Sequence, residues 1–336
     1  MTDRIAVVTG GAGFIGSHTV DALVQKGYQV RVLDDFSNGK HENLAHLSES
    51  SRVSIEDGDI CSLGSRSTTF VDADIVFHFA GVGDIVPSIQ SPEKYMNTNV
   101  MGTVKVLEAA REASVRRLIY AASSSCYGSS PKTPTDEVQP IECEYPYALS
   151  KYLGEQAVFH WHRVYGMSVN SIRIFNAYGL RSRTSGAYGA VFGVFLRQKI
   201  AGQPFTVVGD GTQGRDFVHV TDVADAFVKA GESHLDGKVW NLGTGHPKTI
   251  NYLVQLLGGN TIYLPRRPAE PAVTWADTRA IQDDLKWSAR VSFEEGVSEM
   301  LKHIDLWSEA PLWDEKRIAE ATHDWFQYLQ KGSDSD

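Results

Sequence analysis

The sequence predicts an α/β protein: a Rossmann-type doubly wound parallel sheet with a smaller C-terminal lobe. Three observations carry that expectation. Short β-branched runs alternate with helical patterns through the first half of the 336 residues, several of those runs are apolar on both faces, and a glycine cluster follows the first run directly. A strand apolar on both faces belongs in a sheet covered on both sides, and a βαβα alternation gives parallel strands joined by right-handed crossovers.

Taken in order, residues 4–9, 28–33, 75–79, 117–121 and 169–174 read as strands, with helices near 14–26, 93–113 and 147–165. After about residue 180 the pattern loosens. The Gly- and Tyr-rich SGAYGAVFGVF leads into a helix, the glycine cluster at 208–214 marks a turn, and residues 239–242 form a further strand. A tryptophan-bearing helical tail (Trp307, Trp313, Trp325) then runs to the polar end KGSDSD. The expected organisation is a sheet domain over 1–180 to which 217–246 returns, a second lobe over 181–310, and a helical tail over 311–336 that packs on the lobe or on a neighbouring subunit.

Composition excludes several classes. The 41 acidic against 32 basic residues leave a net charge of −9, which repels a phosphate backbone, so no nucleic-acid partner is expected. No run of about 18 apolar residues occurs, and the N-terminus passes from MTDR straight into a strand-like run. A cytoplasmic protein without a membrane span is expected. Three cysteines (Cys61, Cys126, Cys143) cannot build a disulfide framework and lack zinc-site spacing, so no metal is expected.

The segment TGGAGFIG satisfies Gly-x-Gly-x-x-Gly through Gly11, Gly13 and Gly16, and Gly-x-x-Gly-x-x-Gly through Gly10, Gly13 and Gly16; Phe14 and Ile15 open the helix behind it. Such a turn lets the backbone approach a pyrophosphate and presents free helical N–H groups to it. Asp34 ends the second strand about twenty residues on, where a carboxylate accepts from a ribose hydroxyl and repels a 2′-phosphate, favouring NAD over NADP. Asp59 and Ile60, after a third strand, would flank the adenine.

Tyr147 and Lys151 lie four apart in a helical segment and share one face. Bringing a phenol from about pH 10 to about 7 requires roughly 4 kcal/mol, which an ammonium and an oxidised nicotinamide ring in a dry cleft are able to supply. The phenolate is then a base matched to a sugar hydroxyl. Ser123, at the end of a strand upstream, completes the group. His78 and His219, in strand-like segments, read as satisfied core histidines, and Cys126 as packing.

These motifs, with FAG (79–81), SSSCYG (123–128), YALSK (147–151), RIFNAYG (173–179) and RDFVHVTDVA (215–224), resemble the extended short-chain dehydrogenase/reductases that act on nucleotide sugars. The resemblance implies bound NAD, a UDP-sugar substrate and a homodimer through helices 93–113 and 147–165. It assigns Ser123, Tyr147 and Lys151 as catalytic. Asn38, Phe79, Ala80, Gly81, Asn99 and Phe175 match cofactor-pocket positions. Asn176, Arg215 and Arg267 match positions that hold the diphosphate, while Ser124 and Glu270 are expected to touch substrate. Base recognition is expected in 188–208. Thr274 stands where a tyrosine would restrict the sugar pocket, and its small side chain leaves room for a 2-acetamido group.

Within that family, dehydratases and decarboxylases carry carboxylates where this chain has Ser124 and Ser125. The expected reaction is therefore 4-epimerisation of a UDP-sugar through a transient 4-ketosugar. A 4,6-dehydratase, a UDP-glucuronate decarboxylase, a 4-ketoreductase and a non-catalytic NAD-binding sensor stay open as alternatives.

Overall fold

The computed structural model describes residues 4–182 and 191–330. Its first unit runs β1 (Ile5–Thr9), α1 (Phe14–Gln25), β2 (Gln29–Asp34), β3 (Val53–Asp57), β4 (Ile75–His78), α2 (Ile85–Gln90) and α3 (Pro92–Met96). After a π-helical turn over Asn97–Gly102 come α4 (Thr103–Glu112), β5 (Arg117–Ser123), α5 (Pro146–Tyr165) and β6 (Val169–Ile174). The single helix expected over 93–113 is thus divided. Asn99 lies in the wide turn, and its carbonyl accepts from Thr103 Oγ1 (2.7 Å).

The second half begins with β7 (Asn176–Tyr178), α6 (Val191–Ile200), β8 (Phe205–Val208), β9 (Gly214–Arg215), β10 (Phe217–His219) and α7 (Val220–Glu232). It continues with β11 (Lys238–Leu242), β12 (Lys248–Thr249), α8 (Ile250–Leu257), β13 (Thr261–Leu264), α9 (Arg279–Leu285), α10 (Phe293–Lys302), α11 (Glu315–Ala321) and α12 (His323–Leu329). The main sheet has seven strands in the order β11-β6-β5-β4-β1-β2-β3, and every pairing in it is parallel. The chain starts in the middle, works outward to β3 and then reverses, which opens a crevice at the carboxyl ends of β1 and β4.

Both faces of this sheet are covered. Val20 and Leu23 of α1, Val223 and Phe227 of α7, and Ile281 and Leu285 of α9 pack with Val8, Val32 and Ile172 on one side. Val106 and Leu107 of α4 and Val158 of α5 pack with Val7, Val76 and Leu118 on the other. Residues 279–287, grouped with the second lobe by the sequence, belong to the first of these cores: Trp287 is buried there and donates its indole N–H to Asp222 O (3.1 Å). A separate apolar cluster joins α6, β8, α8, β13 and α10, with Ile318 of α11 reaching into it. It is built around the parallel pair β8–β13.

A buried ion pair fastens α5 to the sheet. Glu155 Oε1 accepts from Arg173 Nη2 (2.7 Å), and its Oε2 accepts from Arg173 Nε (3.1 Å) and Ser171 Oγ (2.8 Å). Arg173 Nη1 also donates to Tyr127 Oη (2.7 Å), which donates to Asn241 Oδ1 (2.8 Å). Removing one partner of such a pair leaves an uncompensated buried charge, at about 3–5 kcal/mol. Glu155→Gln is therefore expected to lose stability of that order in urea titration, and the double change Glu155→Leu with Arg173→Met to lose less than the single one.

Candidate active site

The carboxyl ends of β1, β2, β4, β5 and β6 open into one cleft of about 990 Å³, walled on its far side by the second lobe. Its residues fall into two groups. Gly10, Gly13, Phe14, Ile15, Gly16, Asp34, Asn38, Asp59, Ile60, Phe79, Ala80, Gly81 and Phe175 line one part; Ser123, Ser124, Tyr147, Lys151, Asn176, Arg215, Arg267, Glu270 and Thr274 line the rest.

The first group forms a cradle that depends on missing side chains. Gly10 has φ +69°, and a Cβ there would lie 2.6 Å from Ala80 N; a Cβ at Gly16 would collide with Gly10 O. This closeness brings the β1–α1 turn against the β4 loop and leaves the first amides of α1, capped by Gly13 without a side-chain acceptor, facing the cleft. Asp34 is placed by that turn: its Oδ2 accepts from Ala12 N (2.8 Å) and its Oδ1 from Phe36 N (2.9 Å). Burial pushes its carboxyl above the usual range, and these two amides oppose the shift. Each oxygen keeps a lone pair for a hydroxyl donor. The donor set, free helical amides with one carboxylate at the end of β2, fits a dinucleotide.

Asn99 is the one expected cofactor-pocket residue that does not line the cleft. It is buried behind the wall, where its Oδ1 accepts from Val82 N (2.8 Å) and its Nδ2 donates to Val82 O (3.0 Å) and Ser150 Oγ (2.9 Å). The carboxamide thereby ties the β4 loop to α5 and holds the wall in place.

Where β5 ends, the Ser123 and Ser125 hydroxyls are hydrogen-bonded to each other (3.0 Å), and Ser123 Oγ accepts from Ser125 N (3.2 Å). Tyr147 is hydrogen-bonded to Ser123, which lowers its pKa, yet burial is the larger effect and raises it; the charge of Asp84 adds to the rise. Lys151 is moved in the opposite direction, to about 8, by burial, with Glu155 partly restoring it. Its Nζ lies 4.5 Å from the Tyr120 ring centroid, and Tyr120 Oη donates to Lys151 O (3.2 Å). The protein thus dehydrates both groups and leaves them uncharged more readily than water would.

Elsewhere on the cleft wall, Arg215 on β9 donates through Nη2 to Glu270 Oε1 (2.8 Å), and Arg267 Nη1 lies 3.9 Å from Glu270 Oε2. Thr274 Oγ1 donates to Asn176 Oδ1 (2.7 Å) and accepts from Asp216 N (3.1 Å), so its hydroxyl is already engaged. Residues 183–190 lie outside the described chain; of the stretch expected to recognise the base, Phe192, Val194, Thr206 and Val208 line the cleft.

His78 and His219 sit as core groups. His78 bonds Thr9 and Thr103, and burial lowers its pKa to about 3; His219 bonds Thr221 and Glu299. Burial pushes the Cys126 thiol up to about 12, which keeps it un-ionised.

Residues absent from the sequence-level site also line the cleft: Asp84, with φ +72°, Tyr145, which caps α5, and Trp313 and Trp325 of the tail. Tyr145 had a signal, since a Tyr-Pro pair marks the start of the helix that carries Tyr147 and Lys151. The tryptophans had only the expense of leaving large apolar rings in water.

A switch-point crevice lined by a glycine-built turn and a Ser–Tyr–Lys group is the arrangement of the short-chain dehydrogenase/reductase fold. The chain belongs to the NAD dependent epimerase/dehydratase family, which it matches over residues 6–243. Among individual proteins, it is 32% identical over 302 residues to a putative UDP-glucose 4-epimerase of Methanocaldococcus jannaschii, covering 88% of this chain and 96% of that one. Its structure superposes with TM-score 0.85 on a UDP-N-acetylglucosamine 4-epimerase from Methanobrevibacter ruminantium in complex with UDP-N-acetylmuramic acid (31% identity; 91% of this chain, 98% of the other). A UDP-glucuronic acid 4-epimerase from Bacillus cereus, in complex with UDP-glucuronic acid and NAD, gives TM-score 0.84 at 28% identity (90% and 99% covered). No helix among the described residues is long and apolar enough to cross a membrane.

Lys151 has a testable cost. Because its pKa falls from 10.5 to about 8, the buried ammonium destabilises the fold below pH 8, and the penalty fades as pH rises toward 10.5, where the unfolded chain also loses the proton. Lys151→Met, of similar volume, is expected to unfold at a higher urea midpoint than wild type at pH 7, with the advantage shrinking between pH 8 and 10.5. An advantage constant across that window would contradict the assignment.

Proposed function

We propose that the protein catalyses NAD-dependent 4-epimerisation of a UDP-sugar through a transient 4-ketosugar. The observation that carries the reading is that the Ser123–Tyr147–Lys151 group shares one cleft with Arg215 and Arg267. The two arginines suit a diphosphate, because planar guanidinium forks bind phosphate oxygens in pairs.

The chain's own residues divide the work. Gly10, Gly13 and Gly16 would admit the cofactor pyrophosphate, and Asp34 the adenosine ribose. NAD, when bound, would accept hydride from C4 of the sugar and give it back, and its oxidised ring would supply a positive charge. Tyr147 Oη takes the O4 proton, directly or through Ser123 Oγ, while the Lys151 ammonium stabilises the phenolate. The sugar would turn about its phosphate linkage with the diphosphate still gripped, and Tyr147 would return the proton to O4. No net oxidation results, so no external reductant is consumed.

Ser124 and Ser125 support epimerisation over elimination, since neither hydroxyl replaces a carboxylate as an acid–base partner beside Ser123. Asp84 favours a second reading. Its charge reaches Tyr147, and an acid near the base is what a 4,6-dehydratase needs. The pocket side of Thr274 supports acceptance of 2-acetamido sugars, whose amide would meet its methyl group, the hydroxyl being held by Asn176. A homodimer through α4 and α5 remains part of this reading.

The purified protein is expected to retain NAD and to convert UDP-glucose, UDP-N-acetylglucosamine or UDP-glucuronic acid into the C4 epimer without added cofactor, as followed by NMR. Tyr147→Phe should lower turnover by at least about 10²-fold, the loss usual for a general base. A 4-keto-6-deoxy product would establish elimination instead, and near-native turnover by Tyr147→Phe would remove the phenol from the mechanism.

A further inference from the structure

The C-terminal helix pair reaches the substrate cleft as well as closing the second apolar core. Ile318 of α11 is buried in that core, whereas Trp325 of α12 is 4% exposed and forms part of the cleft wall. Ordinary packing would leave the indole indifferent to what surrounds it. Instead, three directed contacts fix its orientation. Its Nε1 donates to Pro268 O (2.8 Å), which pins the main chain immediately after Arg267. The Arg267 guanidinium carbon lies 5.5 Å from the ring centroid, within the range where a cation is attracted to an aromatic face. The ring also meets Tyr145 (centroids 6.4 Å apart), the residue that caps the helix carrying Tyr147 and Lys151.

We propose that Trp325 is a positioning residue for substrate binding: it holds Arg267 at the diphosphate end of the cleft and ties that end to the start of the catalytic helix. The inference rests on the reading of Arg267 as a diphosphate ligand. A long cationic side chain otherwise gives up considerable rotamer freedom when it grips an anion. An aromatic face already beneath the guanidinium, with the adjacent main chain bonded to the same ring, removes part of that cost before the ligand arrives. Trp325 touches neither the phenol nor the ammonium, so its effect belongs to binding of the diphosphate, whatever sugar is attached.

A double-mutant cycle read by UDP affinity separates this role from a structural one. Titration calorimetry would compare wild type, Trp325→Ala, Arg267→Ala and the double variant, each checked for retained NAD and native circular dichroism. Trp325→Ala should weaken UDP about fivefold in the native background, a typical cation–π contribution, and have no further effect once Arg267 is alanine. Trp325→Phe, which keeps an aromatic face, should lie closer to wild type than Trp325→Ala does. If Trp325→Ala fails to fold, the phenylalanine variant carries the same cycle, with a smaller loss that again vanishes in the Arg267→Ala background. Equal losses in both backgrounds, or no loss in the native one, would overturn the inference while leaving the function intact. A wild type that does not bind UDP, or that binds it equally well without Arg267, would remove the functional reading and the inference together.

Discussion

Burial drives the two reactive groups of this site away from the ionic states that its chemistry requires. Tyr147 and Lys151 lie one helical turn apart on α5, and dehydration raises the phenol's pKa while lowering the ammonium's to about 8. The surroundings offset that imbalance in part. Glu155 favours the ammonium, the Tyr120 ring lies under it, and Ser123 favours the phenolate. Glu155 is itself held by Arg173, so the ion pair that fastens α5 to β6 also sets the field around the lysine. A cationic ring in the cleft would add the remaining push. In the proposed mechanism the chemistry would therefore be coupled to cofactor binding through electrostatics, so that no reactive phenolate forms before the hydride acceptor is in place.

Arg215 and Arg267 on the same cleft wall set a different problem. Their guanidiniums repel each other, and Glu270, 2.8 Å from one and 3.9 Å from the other, offsets that repulsion. In the proposed reaction, gripping the nucleotide there and the reacting hydroxyl at Ser123 and Tyr147 would leave the sugar itself held mainly by its linkage. That freedom is what the proposed epimerisation needs. Asn176 and Thr274, bonded to each other, shape the space between the ends without presenting a charge to it.

Much of this was legible in the sequence because its signals are local. The strands ending at Thr9, Asp34 and Ser123 are short apolar runs with one reading, and the glycine spacing is a statement about close approach that the Gly10–Ala80 and Gly16–Gly10 geometry satisfies. The Tyr147/Lys151 pairing needed only helical periodicity. Other features depend on partners distant in the chain. Asn99 leaves the cleft wall because its carboxamide satisfies both backbone groups of Val82 across a π-helical turn, and no periodicity announces such a turn. Residues 279–287 join the first core because Trp287 finds Asp222 O, although they follow strands of the second lobe. Trp325 reaches Arg267 through a tail whose composition signals only that it must be buried somewhere.

The central claim is that hydride leaves C4 and returns to the same carbon within one binding event. The most direct measurement is mass spectrometry of the product formed from UDP-sugar deuterated at C4, mixed with a ¹³C-labelled, undeuterated competitor in ordinary water. The account predicts that the C4 epimer keeps its deuterium and that none appears in the ¹³C-labelled pool. Loss of the label to solvent, its transfer to the competitor, or its arrival at another carbon of the same sugar would contradict it.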